Sequence, residues 1–357
     1  MKHTLDHLRL QENKMKYSFK NDYSEGAHPR ILDALTKHNL TQQSGYGLDE
    51  YSLQAAKFIM EKFDAPNAAV HLVSGGTQAN LTVISAFLRP HESVVAAHIG
   101  HIFTNESGAI EATGHKIHSV QTIDGKLRPA DIQNVMNEHQ NIPHQLKQRL
   151  VYISNSTETG TIYSKQELQE LYEFCKSKNL ILFMDGARLG HALTAETNDV
   201  TFAEVAKFTD AFYLGGTKNG ALIGEAIIIN NPALQDEFEF HLKQKGALLA
   251  KGRLLGIQFQ ELMRNNLYFE LADHANRQAM KIKAAFSEIG CDFLSETFTN
   301  QIFPVLNAKQ IELLSENFDF YIWKKINNEK SAIRLITSWA TTDETVAGFI
   351  NEIKKLK

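Results

Sequence analysis

Between about residues 50 and 230, the apolar positions alternate between the spacing of strands and that of helices. Short continuous apolar runs are typical of buried strands, and apolar residues three or four apart are typical of helices. The strand-like runs are 69–73, 150–153, 180–184, 211–214 and 226–229. Repeated strand–helix units predict an α/β fold, a mostly parallel sheet with helices on both faces, with catalytic groups at the carboxyl ends of the strands.

Helical patterns fill the intervals between these runs. Ser164 and Glu167 form a capping box, which is a common start of a helix. One more helix-like stretch, 79–88, follows the first strand directly. The apolar stripes of two predicted helices are Leu53, Ala56, Met60 and Phe63 in the first, and Leu168, Leu171, Tyr172 and Cys175 after the capping box.

The alternation of strand-like and helix-like segments ends at about residue 235. Long helical patterns occupy about 235–290, and two strand-like runs, 320–326 and 333–339, precede a last helix. The stripe of that helix is Val346, Phe349, Ile350 and Ile353. The pattern predicts a large domain with an N-terminal arm over 15–265 and a smaller α+β domain over 266–357. Residues 1–14 are polar, so we expect a disordered extension or an upstream start before Met15.

Composition narrows the class of protein. The chain has 357 residues, 43% hydrophobic and 22% charged, and 37 Lys and Arg against 41 Asp and Glu give a net charge of −4. It has no basic block suited to nucleic acid and no apolar stretch near the roughly 18 residues of a membrane span. Two cysteines make a disulfide framework or cysteine-built metal site improbable. We expect a cytoplasmic protein with neither nucleic-acid nor membrane partners.

Two histidine positions need a separate interpretation. His98 and His101 have a spacing that could suggest a metal ligand pair, but no cluster of acidic residues or cysteines accompanies them. We therefore expect no metal. His191 lies in a helical context, which favours packing in the core or at an interface.

Three separate segments carry residues with candidate chemistry. Asp185 directly follows a buried strand, where a carboxylate is costly unless it has a partner. Lys218 stands among glycines after a later strand, and a partly desolvated lysine becomes a nucleophile. The turn 74–77 leads into a helix whose N-terminus can bind phosphate. An N-cap role for Asp185 and a solvated loop position for Lys218 are the alternatives, but together the segments match the needs of a pyridoxal phosphate site.

The same segments resemble those of the threonine aldolase and β-eliminating lyase group of fold-type-I pyridoxal phosphate enzymes. The resemblance extends from about Phe19 to the C-terminus. The motifs that carry it are SFKNDYSEGAHP, SGGTQAN, HIFTNESGA, DGARLGHA, GGTKNG, KGALLAKGRLLG and RLITSWATT. It implies the fold-type-I transferase-like architecture, pyridoxal 5'-phosphate as the cofactor, and a homodimer or homotetramer with the site at a subunit interface.

The resemblance also implies a role for particular residues. For the cofactor, Lys218 forms the Schiff base, Asp185 holds the pyridine nitrogen and His101 stacks on the ring. Gly76 and Thr77 belong to the phosphate-binding turn, and Arg253 reaches the phosphate of a neighbouring subunit. For the substrate carboxylate, the expected residues are Asn21, Arg188 and Arg334. Arg334 lies in an apolar run, where a structural salt bridge is the alternative.

The sequence departs from the family pattern after the strand that ends near residue 154. A histidine is usual there in an Asn-Thr-His context, whereas this chain has Thr157 and Glu158 at the matching place. The identity of the base that takes the proton of the substrate hydroxyl is therefore open. His101, a phosphate-bound water and a group not recognised in the sequence are the candidates.

The function implied is cleavage of the Cα–Cβ bond of a β-hydroxy-α-amino acid such as L-threonine or L-allo-threonine, giving glycine and acetaldehyde. A first alternative is β-elimination or transamination of another amino acid on the same scaffold. A second is a non-catalytic binding protein that kept the fold. The first keeps the cofactor and Lys218 unchanged, while the second predicts that loss of Lys218 has no effect.

Overall fold

The computed structural model describes residues 16–356, so the extension expected over 1–14 lies outside the described residues. A seven-stranded sheet forms the centre of the larger part. In spatial order its strands are β2 (Ala69–Val73), β8 (Glu225–Ile229), β7 (Ala211–Gly215), β6 (Ile181–Asp185), β5 (Lys147–Ser154), β3 (Glu92–Ala97) and β4 (Ile117–Val120). The strand β8 runs in the direction opposite to the other six strands of this sheet, which confirms the mostly parallel sheet.

Helices cover both faces of this sheet. Neighbouring residues of one strand enter different cores, as Leu182 and Phe183 do, and this explains why the strands are continuous apolar runs. The helices before and between the strands are α1 (Pro29–His38), α2 (Glu50–Lys62), α3 (Gly76–Phe87), α4 (His101–Thr104), α5 (Pro129–Glu138), α6 (Lys165–Ser177), α7 (Leu189–Leu193) and α8 (Phe202–Lys207). Those that follow are α9 (Phe238–Gln244), α10 (Arg253–Met263), α11 (Leu267–Glu288), α12 (Ala308–Ser315) and α13 (Asp343–Lys354). Short 3₁₀ helices occupy Glu111–Thr113, Pro232–Leu234 and Arg264–Asn266.

A smaller antiparallel sheet follows near the C-terminus. Its strands are β9 (Asp292–Phe293), β10 (Gln301–Ile302), β11 (Pro304–Asn307), β13 (Tyr321–Lys325) and β14 (Lys330–Ile336). The longest, β14, covers an earlier stretch than the predicted 333–339, because the apolar run continues past the strand into a turn. The long helix α11 joins two cores: Tyr268 packs in the core of the large part, and Phe286 in the C-terminal core.

The N-terminal segment packs against this C-terminal part. β1 (Tyr17–Ser18) pairs in parallel with β12 (Phe318–Asp319). Phe19 is fully buried, its carbonyl accepts a hydrogen bond from the N–H of Ile336, and its ring stacks on Phe318 at 5.8 Å. The arm grouped with the large domain on sequence thus contributes to the core of the smaller sheet.

The helix α2 forms as predicted, but its buried face differs from the predicted one. Its buried side chains include Ala55 and Ile59, whereas Leu53 is 58% exposed. Of the predicted stripe, Phe63 is fully buried and Leu53 is exposed. The prediction is wrong at Leu53 because α2 packs mainly against α10, which covers the neighbouring face that carries Ala55 and Ile59. Among residues 16–356, no helix is long and apolar enough to cross a membrane.

Candidate active site

Asp185 ends β6 at the carboxyl edge of the sheet, and its carboxylate is buried. The hydroxyls of Tyr152 and Tyr213 each donate to it at 2.5 Å, and the N–H of Ala187 donates at 3.0 Å. Burial would raise the pKa of Asp185, but His101 and these hydrogen bonds outweigh it, so the pKa lies below its usual value. The site therefore holds a permanent negative charge at the end of β6.

A chain of buried hydrogen bonds joins Asp185 to His101. The amide of Asn80 donates to Asp185 at 3.3 Å and to Glu106 at 2.7 Å. The same Glu106 oxygen lies 2.8 Å from Nδ1 of His101. His101, the first residue of α4, keeps 39% of its side chain exposed. Glu106 therefore fixes the orientation of the ring at Nδ1, while part of the ring stays exposed. A group that covers a ligand needs both properties.

The turn after β2 presents an open helix end. Gly75 is the N-cap of α3 and supplies no side-chain hydrogen bond, so the first N–H groups of this 12-residue helix remain available to an anion. A Cβ on Gly76 would lie 3.0 Å from the hydroxyl of Tyr213, which binds Asp185. Gly76 thus lies beside Tyr213, the partner of Asp185, and has no side chain to occupy the space between them.

Lys218 lies in the loop that follows β7, close to the loop after β6. Gly186, the first residue after β6, lets this segment lie close to β7, because a Cβ there would lie 1.8 Å from the carbonyl oxygen of Tyr213. Burial lowers the pKa of Lys218 and Arg188 adds to this effect, while Asp22, Asp185 and Glu225 oppose it. A lysine with a lowered pKa holds more neutral, nucleophilic amine near neutral pH.

Glu225 is a second buried carboxyl at this edge. It begins β8, between the ends of β7 and β2, and accepts a hydrogen bond from the N–H of Gly216 at 3.0 Å. Burial raises its pKa, although Lys218 acts in the opposite direction. Sequence reasoning missed Glu225, since it reads only as the polar start of an apolar strand.

Arg188 is buried in an ion pair that the sequence did not reveal. Its Nε and Nη2 donate to the two oxygens of Asp22 at 2.7 and 3.0 Å, and Asn300 donates to the same carboxylate at 2.9 Å. Burial would raise the pKa of Asp22, but Arg188 and Lys218 lower it well below its usual value. Asp22 directly follows Asn21, so the quoted segment KNDYS contained the signal.

Arg334 lies on β14 with its guanidinium over the ring of Trp323, 4.5 Å from the centroid. Its Nε is buried and has no hydrogen-bond partner among residues 16–356. Burial lowers the pKa of Arg334 to about 10, with a contribution from Arg188 that Asp22 opposes. The side chain thus remains charged at neutral pH, and a buried unpartnered donor of this kind suits a carboxylate ligand.

Two more of the predicted site residues, Asn21 and Arg253, form hydrogen bonds with residues near them in the structure. Asn21 accepts hydrogen bonds from the N–H of Tyr23 and the hydroxyl of Ser24. Arg253 donates to the main-chain carbonyls of Asn39 and Thr41.

His98 and His191, the two other histidines discussed from the sequence, are not part of the hydrogen bonds that join Asp185 to His101. His98 accepts from the N–H of Thr122, so it and His101 have different partners. His191 is fully buried, as expected for a core position.

The assembled groups fit pyridoxal phosphate. The open end of α3 suits the phosphate, the ionised Asp185 suits a protonated pyridine nitrogen, and Lys218 suits the aldehyde. All three lie at the ends of strands β2, β6 and β7 or just beyond them, at one edge of a doubly wound sheet. The fold and the site together define an α/β enzyme of the pyridoxal phosphate class.

Comparison with known proteins identifies the family. The model of the beta-eliminating lyase family matches residues 25–309. A low specificity L-threonine aldolase of Pseudomonas aeruginosa is 30% identical over 340 residues, covering 94% of this chain and 96% of the relative. The structure of Leishmania major threonine aldolase is 47% identical with a TM-score of 0.94, covering 95% of this chain and 99% of that one. The chain belongs to the beta-eliminating lyase family and is a pyridoxal phosphate-dependent lyase.

A more distant likeness concerns the fold alone. Thermus thermophilus aspartate aminotransferase is 12% identical with a TM-score of 0.69, covering 96% of this chain and 92% of that one. This agrees with the fold-type-I architecture expected from the sequence.

Proposed function

We propose that this chain cleaves the Cα–Cβ bond of L-threonine or L-allo-threonine, giving glycine and acetaldehyde. Support comes from the relatives, which are threonine aldolases over nearly the whole chain. The observation that carries the proposal is the joint presence of a Lys218 with a lowered pKa and an ionised Asp185 at one edge of the central sheet, with the unpartnered Nε of Arg334 on β14 of the smaller sheet. When bound at Lys218, the cofactor supplies an electron-poor ring that accepts the electrons of the broken bond.

The residues around the cofactor have separate tasks in this proposal. Asp185 would keep the pyridine nitrogen protonated, because its own carboxylate stays ionised. Gly76 and Thr77 at the start of α3 would bind the phosphate, and His101 would cover the ring.

Two arginines orient the substrate carboxylate. Arg334 offers its unpartnered Nε, while Arg188 is fixed by Asp22 through Nε and Nη2 and keeps Nη1 for a ligand. A carboxylate held at two points fixes the bond to be broken perpendicular to the ring. Asn21, at the start of the same segment as Asp22, remains a candidate for a further contact.

The site is proposed to lie at the interface of a homodimer or homotetramer, with Arg253 serving a neighbouring subunit's phosphate. Leu222 and Ile223, in the loop that follows Lys218, are 42% and 37% exposed, and apolar side chains so near a site favour a covering subunit. Sedimentation velocity would test this: a monomer at micromolar concentration contradicts it. The cytoplasmic location stays a prediction of the sequence.

The test of function is acetaldehyde release from L-threonine by the protein supplied with pyridoxal phosphate. We expect release by the wild type and none by Lys218→Ala, since Lys218 is the residue proposed to bind the aldehyde. Absence of release from wild-type protein that binds the cofactor would favour β-elimination or transamination. Equal behaviour of both proteins in every assay would favour a binding protein.

A further inference from the structure

The loop after β5 places the carboxylate of Glu158 next to His101, a residue of the predicted site. Glu158 follows the end of β5 by four residues, and its Oε1 accepts the hydroxyl of Ser154 at 2.8 Å and the backbone N–H of His101 at 2.9 Å. These two donors fix one oxygen of the carboxylate. They also tie Glu158 to the residue expected to cover the cofactor ring.

The second oxygen of Glu158 is free. Oε2 has no hydrogen-bond partner among residues 16–356, and it is not one of the fully buried unpartnered polar atoms, so it reaches accessible space. One anchored oxygen and one open oxygen make a rigid acceptor. A general base needs this arrangement, because the proton must be taken along a fixed direction.

The electrostatic surroundings favour a proton acceptor at this place. Burial raises the pKa of Glu158 and the charge of Asp185 adds to it, while the hydrogen bond from Ser154 and the charge of His101 act against it. The net pKa is above its usual value, so the carboxylate binds a proton more readily than an exposed glutamate does. It also contributes to the electrostatic environment of Arg188, which places it near the proposed carboxylate site.

The neighbouring candidates are less suitable. Thr157 is fully buried, and its hydroxyl already has partners in the hydroxyls of Thr161 at 2.7 Å and Thr159 at 3.2 Å. Nδ1 of His101 is occupied by Glu106, and its ring is the group expected to lie on the cofactor. Of the two residues at the position where the family pattern has a histidine, Glu158 is the one that hydrogen-bonds a residue of the predicted site, His101.

We propose that Glu158 is the base that takes the β-hydroxyl proton of the substrate. This rests on the proposed function. The O–H proton passes to Oε2, and the O–H electron pair forms the C=O bond of acetaldehyde as the Cα–Cβ bond breaks. The electron pair of that bond goes to Cα, which then takes up one proton to give glycine. Threonine thus divides into glycine and acetaldehyde without another reactant.

The test compares two reactions of Glu158→Gln. Glutamine can still accept from Ser154 and His101 through its amide oxygen, but it cannot take a proton. We expect kcat for L-threonine cleavage to fall about 10²- to 10⁴-fold, the usual worth of a general base. Glycine has no β-hydroxyl, so exchange of its Cα proton with D₂O, followed by NMR, should be unchanged. Glycine affinity and cofactor content, both read from the visible absorbance, should also match the wild type.

The matched control is Glu170→Gln, the same change on the exposed surface of α6, which should alter neither reaction. Cleavage by Glu158→Gln at the wild-type rate would overturn the proposal and favour His101. Equal loss of cleavage and exchange would also overturn it, because Glu158 would then hold the site together. If the Gln variant does not fold, Glu158→Asp replaces it, with slowed cleavage and normal exchange expected.

Failure of the proposed function looks different from failure of this assignment. Wild-type protein that exchanges the Cα proton of glycine but does not cleave threonine would contradict the aldolase activity, and the role of Glu158 with it. Cleavage by the wild type and the Gln variant alike contradicts only the role of Glu158.

Discussion

At the scale of single residues, Asp185 shows how a buried charge is maintained for chemistry. Replacing it with asparagine keeps the shape of the side chain but removes the negative charge that is proposed to hold a protonated pyridine nitrogen. For Asp185→Asn we expect kcat for threonine cleavage to fall on the order of 10²-fold or more, with some cofactor retained. Steady-state kinetics together with the visible absorbance of the cofactor would measure both effects.

The control for this change is Asp199→Asn, an exposed aspartate that accepts a hydrogen bond from the N–H of Lys165. It should leave kcat within the error of the wild type. Unchanged turnover in Asp185→Asn would contradict the role of Asp185.

The residues that sequence reasoning found share one property. Asp185 directly follows an apolar run and Lys218 lies in the loop after another, where the cost of burying a charge makes a partner or a function necessary. Glu225 and Asp22 bear on the same site, but Glu225 is the first residue of its strand and Asp22 lies in an irregular segment. Their importance depends on the charge of Lys218 near Glu225 and on the ion pair of Asp22 with Arg188, and both arise only in the folded chain.

At the scale of elements, the central strands were predictable because both faces of each are buried, which leaves a continuous apolar signal. The face of α2 was not, since both Ile59 and Leu53 are apolar and only contact with α10 decides which of them is covered. The short strands of the C-terminal part, such as β9 and β10, contain two residues each. Segments this short carry no periodic pattern.

The N-terminal arm is the element that connects the C-terminal core with the active site. Phe19 is buried between Phe318 and Phe349, three residues before the Asp22 that fixes Arg188. For Phe19→Ala we expect a loss of about 3–5 kcal/mol in the free energy of unfolding, through the cavity left behind. KM for the amino acid should rise as Asp22 loses its fixed position. Urea denaturation and kinetics would measure the two effects.

The matched control is Tyr23→Ala, a change of similar size at a side chain that is 55% exposed in the same arm. It should cost less than about 1 kcal/mol, as surface substitutions usually do. A similar loss in both variants would show that the arm is not held by Phe19.

At the scale of the whole molecule, the site depends on segments far apart in the chain. Asp22 from the arm, Arg188 from the loop after β6 and Asn300 beside β10 form one hydrogen-bonded group. Arg334 lies close enough for its pKa to respond to Arg188 and Asp22. The substrate end of the site is therefore assembled only when the large sheet, the arm and the small sheet are all folded.

The same interior makes the fold sensitive to acid through His191. Burial lowers the pKa of His191 from 6.5 to about 4. Between these two pH values, His191 is protonated in the unfolded chain and neutral in the folded chain. The stabilisation is complete above pH 6.5 and is lost as the pH falls, at about 1.4 kcal/mol per unit. Between pH 7 and pH 5 the wild type should therefore lose about 2 kcal/mol more of unfolding free energy than His191→Leu, which has no such proton to bind. Urea denaturation at both pH values measures this difference, and parallel losses in the two proteins would mean that His191 takes up its proton in the folded state as well.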